Sequence, residues 1–343
     1  MPAPLDTQQS NLTVSPNGAP GDLSRQFRAI LEGCAIHQPS RAKLKLVGED
    51  RVRWLNGMTT NNVRDLKEDL GVYGFVLNPQ GKIQGDGYTF HRGDFLVFDT
   101  DADQVSRLRE LFDRYIIMDD VEVTDLPLRT LAVIGPKAEQ ILQAVGLDGS
   151  GLSPLEVKDG DWRGASVTLV RTDLPAPTAY EVWAEPQNLD RLSEALTAAG
   201  ATAVDGEAVE LLRIARGVPQ YGQDIRERDL PQETEQSRAL NFNKGCYIGQ
   251  EIVERIRSRG AVHRKFTGFM AEGPLPAAGS KVLMDGKEVG EITSAAMVPA
   301  AHGAIGVALG YLRREHGEPG TRLQSGETTL TVAKVPFGAI FEE

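Results

Sequence analysis

Apolar residues recur along the chain in two periods, and their alternation with polar stretches predicts the elements. Leu23, Phe27, Ile30 and Leu31 fall on one helical face behind Asp22, a good capping residue, with Gly33 just past the end. A strand is expected over residues 42–47, then a short helix over 49–56 stopped by Gly57. Strands follow over 72–77, 83–91 and 95–99, broken by turns at Asn78-Pro79-Gln80-Gly81-Lys82 and Arg92-Gly93-Asp94. Asp101 then caps a helix whose inner face carries Val105, Leu108, Leu111, Phe112 and Tyr115.

The pattern repeats. A strand over 128–134 leads to a helix opened by Pro136, strands cover 165–171 and 180–184, and Pro186 opens a helix ended by Gly200. This order resembles the split βαβ motif. A helix over 207–216 precedes Gly217-Val218-Pro219, and residues 224–236 read as a long charged loop, of the kind that is often functional. From Val262 onward short alternating runs and the Asp285-Gly286 hairpin signal predict a small barrel of about six strands. The fold class is α+β: two α+β units and a C-terminal six-stranded antiparallel barrel. The expected divisions are a disordered tail over 1–21, a first unit over 22–126, a second over 127–261 and the barrel over 262–343.

Composition narrows the function. The chain of 343 residues is 41% apolar and 25% charged, an ordinary globular balance. No apolar run approaches the ~18 residues of a membrane span, and the first 22 residues lack a secretory signal's pattern. Two distant cysteines, Cys34 and Cys246, make no disulfide framework, so a reducing cytoplasm is the expected setting. A net charge of −11 argues against general nucleic-acid binding. The five histidines show no metal spacing; metal ligands are expected to be none. No nucleophile elbow, Walker A sequence or dinucleotide fingerprint occurs.

Three clusters remain as candidates. Alternation along 83–86 puts Gln84 and Asp86 on one face of a strand, where a carboxylate could accept two N–H donors of an aminopyrimidine ring, or simply meet solvent. Arg213 and Arg216, near a helix end, could hold a carboxylate or complement the helix dipole. Cys246 sits between Gly245 and Gly249, two residues after Lys244, ahead of a helical run through Ile248, Ile252, Val253 and Ile256. A thiol at a helix start beside a lysine is expected to ionise more readily than an ordinary cysteine; packing as a small apolar residue is the alternative. Arg255, Arg257, Arg259, Arg264 and Lys265 trail it as a candidate basic face, or as solvated charge.

Lys244-Gly245-Cys246-Tyr247-Ile248-Gly249-Gln250-Glu251 resembles the signature of YgfZ-type folate-binding proteins, within the glycine-cleavage T-protein (aminomethyltransferase) superfamily. Leu77–Lys82 ahead of Asp86, Arg213-Ile214 ahead of Gly217-Val218-Pro219, Leu230–Glu233 and Asn241-Phe242 stand in matching order. Ala215 and Arg216 occupy a segment where the superfamily often carries a glutamate. The resemblance implies a three-part ring, two ferredoxin-like α+β units and the barrel around a central folate cavity, with tetrahydrofolate or a derivative as cofactor. It implies Cys246 and Lys244 as reactive residues, and Asp86, Arg213, Arg216, Tyr247, Gln250 and Glu251 as cofactor-binding. The implied role is accessory to assembly or repair of iron–sulfur proteins, with iron–sulfur clients or assembly proteins as partners. A folate-dependent aminomethyl or one-carbon transferase is the alternative, and a non-enzymatic docking module a third.

Overall fold

A computed structural model of the chain describes residues 20–260, 262–301 and 303–341. The expected tail lies outside these except at its last two positions. Helix α1 (Pro20–Glu32) leads into a three-residue strand β1 (Ala35–His37). Next come β2 (Arg41–Val47), α2 (Arg51–Met58), β3 (Gly71–Leu77), β4 (Ile83–Arg92), β5 (Phe95–Asp101), α3 (Val105–Tyr115) and β6 (Glu122–Leu126). The five strands after β1 form one antiparallel sheet in the order β3-β4-β5-β2-β6. Trp54, Leu55 and Met58 of α2 and Leu108 and Phe112 of α3 pack with Leu44, Leu46 and Phe98 on one face of this sheet. The other face is left for the second layer.

That layer is built from β7 (Arg129–Ile134), α4 (Ala138–Ala144), β8 (Val157–Trp162), β9 (Ala165–Arg171), β10 (Ala179–Ala184), α5 (Pro186–Ala198), β11 (Thr202–Ala203) and α6 (Gly206–Arg216). Its sheet runs β11-β1-β7-β10-β9-β8. So α1 and β1, expected with the first unit, join the second: β1 pairs with β7 and β11, and α1 packs on α6 through Phe27 and Ile30. Helices α4 and α5 cover one face with Ile141, Leu142, Leu189 and Leu192.

After α7 (Gln250–Arg259) the barrel follows: β12 (Arg264–Glu272), β13 (Lys281–Met284), β14 (Lys287–Ala300), β15 (Gly303–Arg313), β16 (Arg322–Ser325) and β17 (Thr328–Ala333), then α8 (Gly338–Phe341). It closes as β12-β15-β14-β13-β16-β17, six antiparallel strands as the sequence predicts. Its hairpin at Asp285-Gly286 has φ of 49° and 74°, the pair of positive values a two-residue turn of this type requires. Val298, Val307, Leu309 and Phe337 meet Leu211, Leu212 and Ala215 of α6, so α6 is packed between the second sheet and the barrel.

Strand β14 carries an irregularity between Ile292 and Ser294. There the Thr293 and Ser294 hydroxyls both donate to the fully buried Asp224 carboxylate, Ser294 at 2.7 Å. The loop over 224–236 is therefore fastened to the barrel wall.

Candidate functional site

The free face of the first sheet and the C-terminal half of α6 enclose a cavity of about 350 Å³ with the edge of the second sheet. Ligand sites of drug-sized molecules occupy about 300–1,000 Å³. Asp86 stands on β4, where alternation turns it, with Gln84 and Tyr88, away from the helices. It is half-buried. Tyr73, on β3, donates its hydroxyl to Asp86 Oδ2 at 2.5 Å, and Gln104 Nε2 donates to Oδ1 at 2.8 Å. Each oxygen keeps a further lone pair for a ligand N–H. Burial, with Asp86 beside it, raises the Tyr73 hydroxyl far above a normal phenol, so it stays a donor at neutral pH.

Four arginines line the same cavity and are held differently. Arg213 spends every donor: Nε and Nη2 on Glu210, Nη1 on Asp224 and the Val218 carbonyl, and Nη2 again on Ser294. It is a structural fork joining α6, the following loop and the barrel, while still lining the cavity. Arg41 is tied to Asp99 and Asp101, and Arg238 stacks 4.1 Å over Tyr73 while bonding Asp173 and the Tyr88 hydroxyl. Arg216 differs. It is 5% exposed and bonds only two carbonyls, Ala176 at 3.1 Å and Pro177 at 2.6 Å. No carboxylate of the described residues pairs with it, and burial lowers its pKa to about 10, leaving a charged guanidinium in the wall. Asp101, also in the wall, has its carboxyl pushed up to about 6 by burial and by Asp86, Asp103 and Asp99, against the pull of Arg41.

The cysteine motif lies apart from this cavity. None of Lys244, Cys246, Tyr247, Gln250 and Glu251 lines it. Cys246 is exposed. It does not open the helix: α7 begins at Gln250 behind Gly249, whose φ of 80° breaks the run, so Ile248 falls before the helix. Lys244 does not face the thiol as a free amine. Its buried Nζ donates to the carbonyls of Asn56, Thr59 and Asn61 at 2.5, 2.6 and 2.7 Å. Burial and the nearby Arg64 guanidinium pull its pKa to about 7, yet three carbonyl contacts need three N–H groups, which only the charged amine has. Tyr247 is buried with its ring 4.9 Å from that nitrogen, Gln250 Oε1 accepts the Tyr247 N–H at 3.3 Å, and Glu251 points to solvent. The basic face is mostly neutralised: Arg257 pairs with Glu254, Arg264 with Asp229 and Glu233, and Lys265 with Glu235.

What the motif does meet is the turn before Asp86. A Cβ on Gly249 would lie 2.6 Å from the Asn78 carbonyl oxygen, and one on Gly81 would lie 2.8 Å from Ile252. The two stretches singled out in the sequence are each other's packing partners, and both glycines are needed for the approach.

The family is settled by the extent of the match. Residues 22–244 fit the GCVT N-terminal domain and residues 264–337 fit the glycine cleavage T-protein C-terminal barrel domain. The chain belongs to the glycine cleavage T-protein family. It is 31% identical over 267 residues to an aminomethyltransferase of Rubrobacter xylanophilus, covering 76% of this chain and 71% of that one. It is 27% identical over 308 residues to an aminomethyltransferase of Picosynechococcus, covering 86% and 84%. In fold it matches the glycine cleavage system aminomethyltransferase T of Bartonella henselae, with a TM-score of 0.84 at 20% identity over 92% of this chain and 89% of the other. In this T-protein family member the cavity residues up to Arg238 lie within the first matched domain, whereas Cys246 lies between the two matched ranges.

Of the residues singled out in the sequence, Asp86, Arg213 and Arg216 line the cavity; Tyr73, Tyr88, Asp101 and Arg238, and Gln104 behind Asp86, were not singled out. Tyr88 was open to the same alternation that placed Asp86, and Tyr73 is its cross-strand partner. Arg238 is the middle residue of a three-residue 3₁₀ turn (Ser237–Ala239) and carries no periodic signal. None of the described helices is long and apolar enough to cross a membrane.

Proposed function

We propose that this chain binds tetrahydrofolate or a derivative in the Asp86 cavity and transfers one-carbon, aminomethyl-type groups through it, as its relatives' names describe. The observation that carries the reading is a carboxylate oriented by Tyr73 and Gln104 in the wall of a cavity that also holds an uncompensated buried cation, Arg216. Folate has the matching parts: an aminopyrimidine ring rich in N–H donors at one end and carboxylates at the other. Asp86 would take the ring, and Arg216 the glutamate tail. Ala132, Ile134, Val209 and Leu212 give the cavity apolar wall for the rings between. The bound folate supplies a nitrogen that carries the one-carbon unit; the chain's residues orient it and exclude water from it.

Titration of the full chain with tetrahydrofolate tests this. Saturable binding weakened at least tenfold by Asp86→Ala is expected, and absence of saturable binding would remove the reading. Release of ammonia with formation of methylenetetrahydrofolate from an aminomethyl-lipoyl donor would establish the transfer.

The exposure of Cys246, away from the cavity, favours a second reading: a folate-linked accessory to iron–sulfur protein assembly or repair, whose thiol meets an iron–sulfur client or assembly protein. One cysteine cannot fill the four cysteine positions of a cluster. Cys34 offers no second ligand, being buried and raised to about 11 by desolvation. Two free thiols suit a reducing cytoplasm. Cells carrying Cys246→Ala should lose iron–sulfur enzyme activity; full activity would sink this reading.

A further inference from the structure

Lys244 ends one continuous set of contacts, and the cavity wall ends the other. The ammonium holds the carbonyls of Asn56, Thr59 and Asn61, fixing the segment after α2. Asn61 turns its side-chain amide the other way: Nδ2 donates to the Tyr73 carbonyl and to the Arg238 carbonyl, both at 2.8 Å. These are the two residues stacked on one another in the cavity, and Tyr73 orients Asp86. Thr60, between them, accepts the Phe75 N–H at 2.9 Å and donates to the Ala239 carbonyl at 2.6 Å, so β3 and the Arg238 loop are both pinned to the same segment. The Ile248 N–H bonds the Gly57 carbonyl at 3.0 Å, which ties the far side of the cysteine loop to it as well. Residues 56–61 thus form a bridge with the exposed thiol loop on one side and the ligand-facing wall on the other.

We propose that Lys244 is a positioning residue for the cavity: by fixing residues 56–61 it sets Tyr73 and Arg238, and so links occupancy of the cavity to the reactivity of Cys246. This rests on the folate reading above. A ligand that draws on Asp86 shifts Tyr73, whose backbone carbonyl shares the Asn61 amide with Arg238. Movement at Asn61 reaches the Lys244 ammonium and the residues next to it, Gly245 and Cys246. Coupling between sites is reciprocal at equilibrium, so a perturbation that shifts the conformation of the thiol loop also shifts folate affinity.

The test uses the full chain and a disulfide reagent that releases a coloured thiolate. Cys34 is buried, so the fast phase reports Cys246. In the wild type, saturating 5-formyltetrahydrofolate is expected to change the Cys246 rate at least threefold. Lys244→Met should weaken folate binding at least tenfold and abolish the ligand effect on the thiol. Asn61→Ala leaves the lysine its backbone acceptors; it should keep the ligand-free thiol rate, lose the ligand effect and weaken binding several-fold. Saturable binding with an unchanged thiol rate in the wild type overturns this inference alone. Absence of binding overturns the folate reading and this inference with it. If Lys244→Met does not fold, the wild-type comparison and Asn61→Ala decide; an Asn61→Ala protein that keeps the full ligand effect also overturns it.

Discussion

Replacing Arg216 with methionine separates a binding cation from a structural one. Burial lowers its pKa to about 10, which amounts to roughly 3 kcal/mol of unfavourable desolvation for the charged form. Two hydrogen bonds to the Ala176 and Pro177 carbonyls oppose this, each worth about 1.5–3 kcal/mol for a charged donor. The two bonds together come to about 3–6 kcal/mol against that desolvation, and methionine keeps the apolar stem. Arg216→Met should therefore cost the ligand-free chain about 0–3 kcal/mol. A carboxylate meeting the guanidinium in this buried wall would add about 2–5 kcal/mol that the variant forfeits. Folate affinity should fall at least ~30-fold, while a pterin lacking the glutamate tail should bind as before. Calorimetric titration with both ligands, alongside urea unfolding, reads both quantities. Loss of several kcal/mol of stability with folate affinity intact would show that Arg216 serves only the 176–177 carbonyls. Equal losses for the two ligands would remove it from the tail site.

Three further outcomes follow from other parts of the fold. The Asp101 carboxyl, raised from 3.8 to about 6, binds its proton more tightly folded than unfolded. Its stabilisation is complete below about 3.8 and is lost as pH rises through about 6. Asp101→Asn should thus change stability by about 2–3 kcal/mol more favourably at pH 8 than at pH 4, measured by urea unfolding at both; a pH-independent difference would contradict the shift. Asp224→Ala leaves Arg213 without its buried partner and strips Thr293 and Ser294 of their acceptor, so a loss of about 3–5 kcal/mol is expected in thermal or urea unfolding. Gly249→Ala adds a methyl 2.6 Å from the Asn78 oxygen at a φ of 80°. It should cost at least ~1–2 kcal/mol and raise proteolytic cutting near Cys246; unchanged unfolding and cleavage would show that the turn and motif are not in fixed contact.

The elements legible in the sequence are those with a buried face. Helix α3 shows Leu108 and Phe112 at helical spacing, and β4 alternates cleanly from Ile83, which exposed Asp86 to inspection. The barrel was legible from its turns, but β16, with Leu323 as its single large apolar residue, was not. Strand β8 was hidden because residues 158–161 are all exposed between buried ends, and β6 because its pattern is largely solvent-facing. The arginine cluster shows a different limit. Arg213 and Arg216 sit three residues apart on one helix, yet only the fold reveals that Glu210, Asp224 and Ser294 saturate the first and that no acidic side chain among the described residues meets the second. Local spacing places a side chain on a face; it does not say which distant loop arrives to neutralise it. Lys244 carried the same ambiguity, since its three acceptors come from residues 56–61.

The membership of β1 in the second sheet bears on the order in which the chain can be made and folded. Residues 41–126 complete the first sheet as one unbroken stretch, while β1 needs β7 and β11, which come later. At ordinary synthesis rates the strand would wait on the order of ten seconds for residues 202–203. During that interval the apolar side of α1, with Phe27 and Ile30, has neither α6 nor the barrel to cover it. The first sheet is in effect an insert between β1 and β7. A nascent chain stalled after residue 126 would carry a finished sheet with a sticky amphipathic helix ahead of it, a natural substrate for a chaperone.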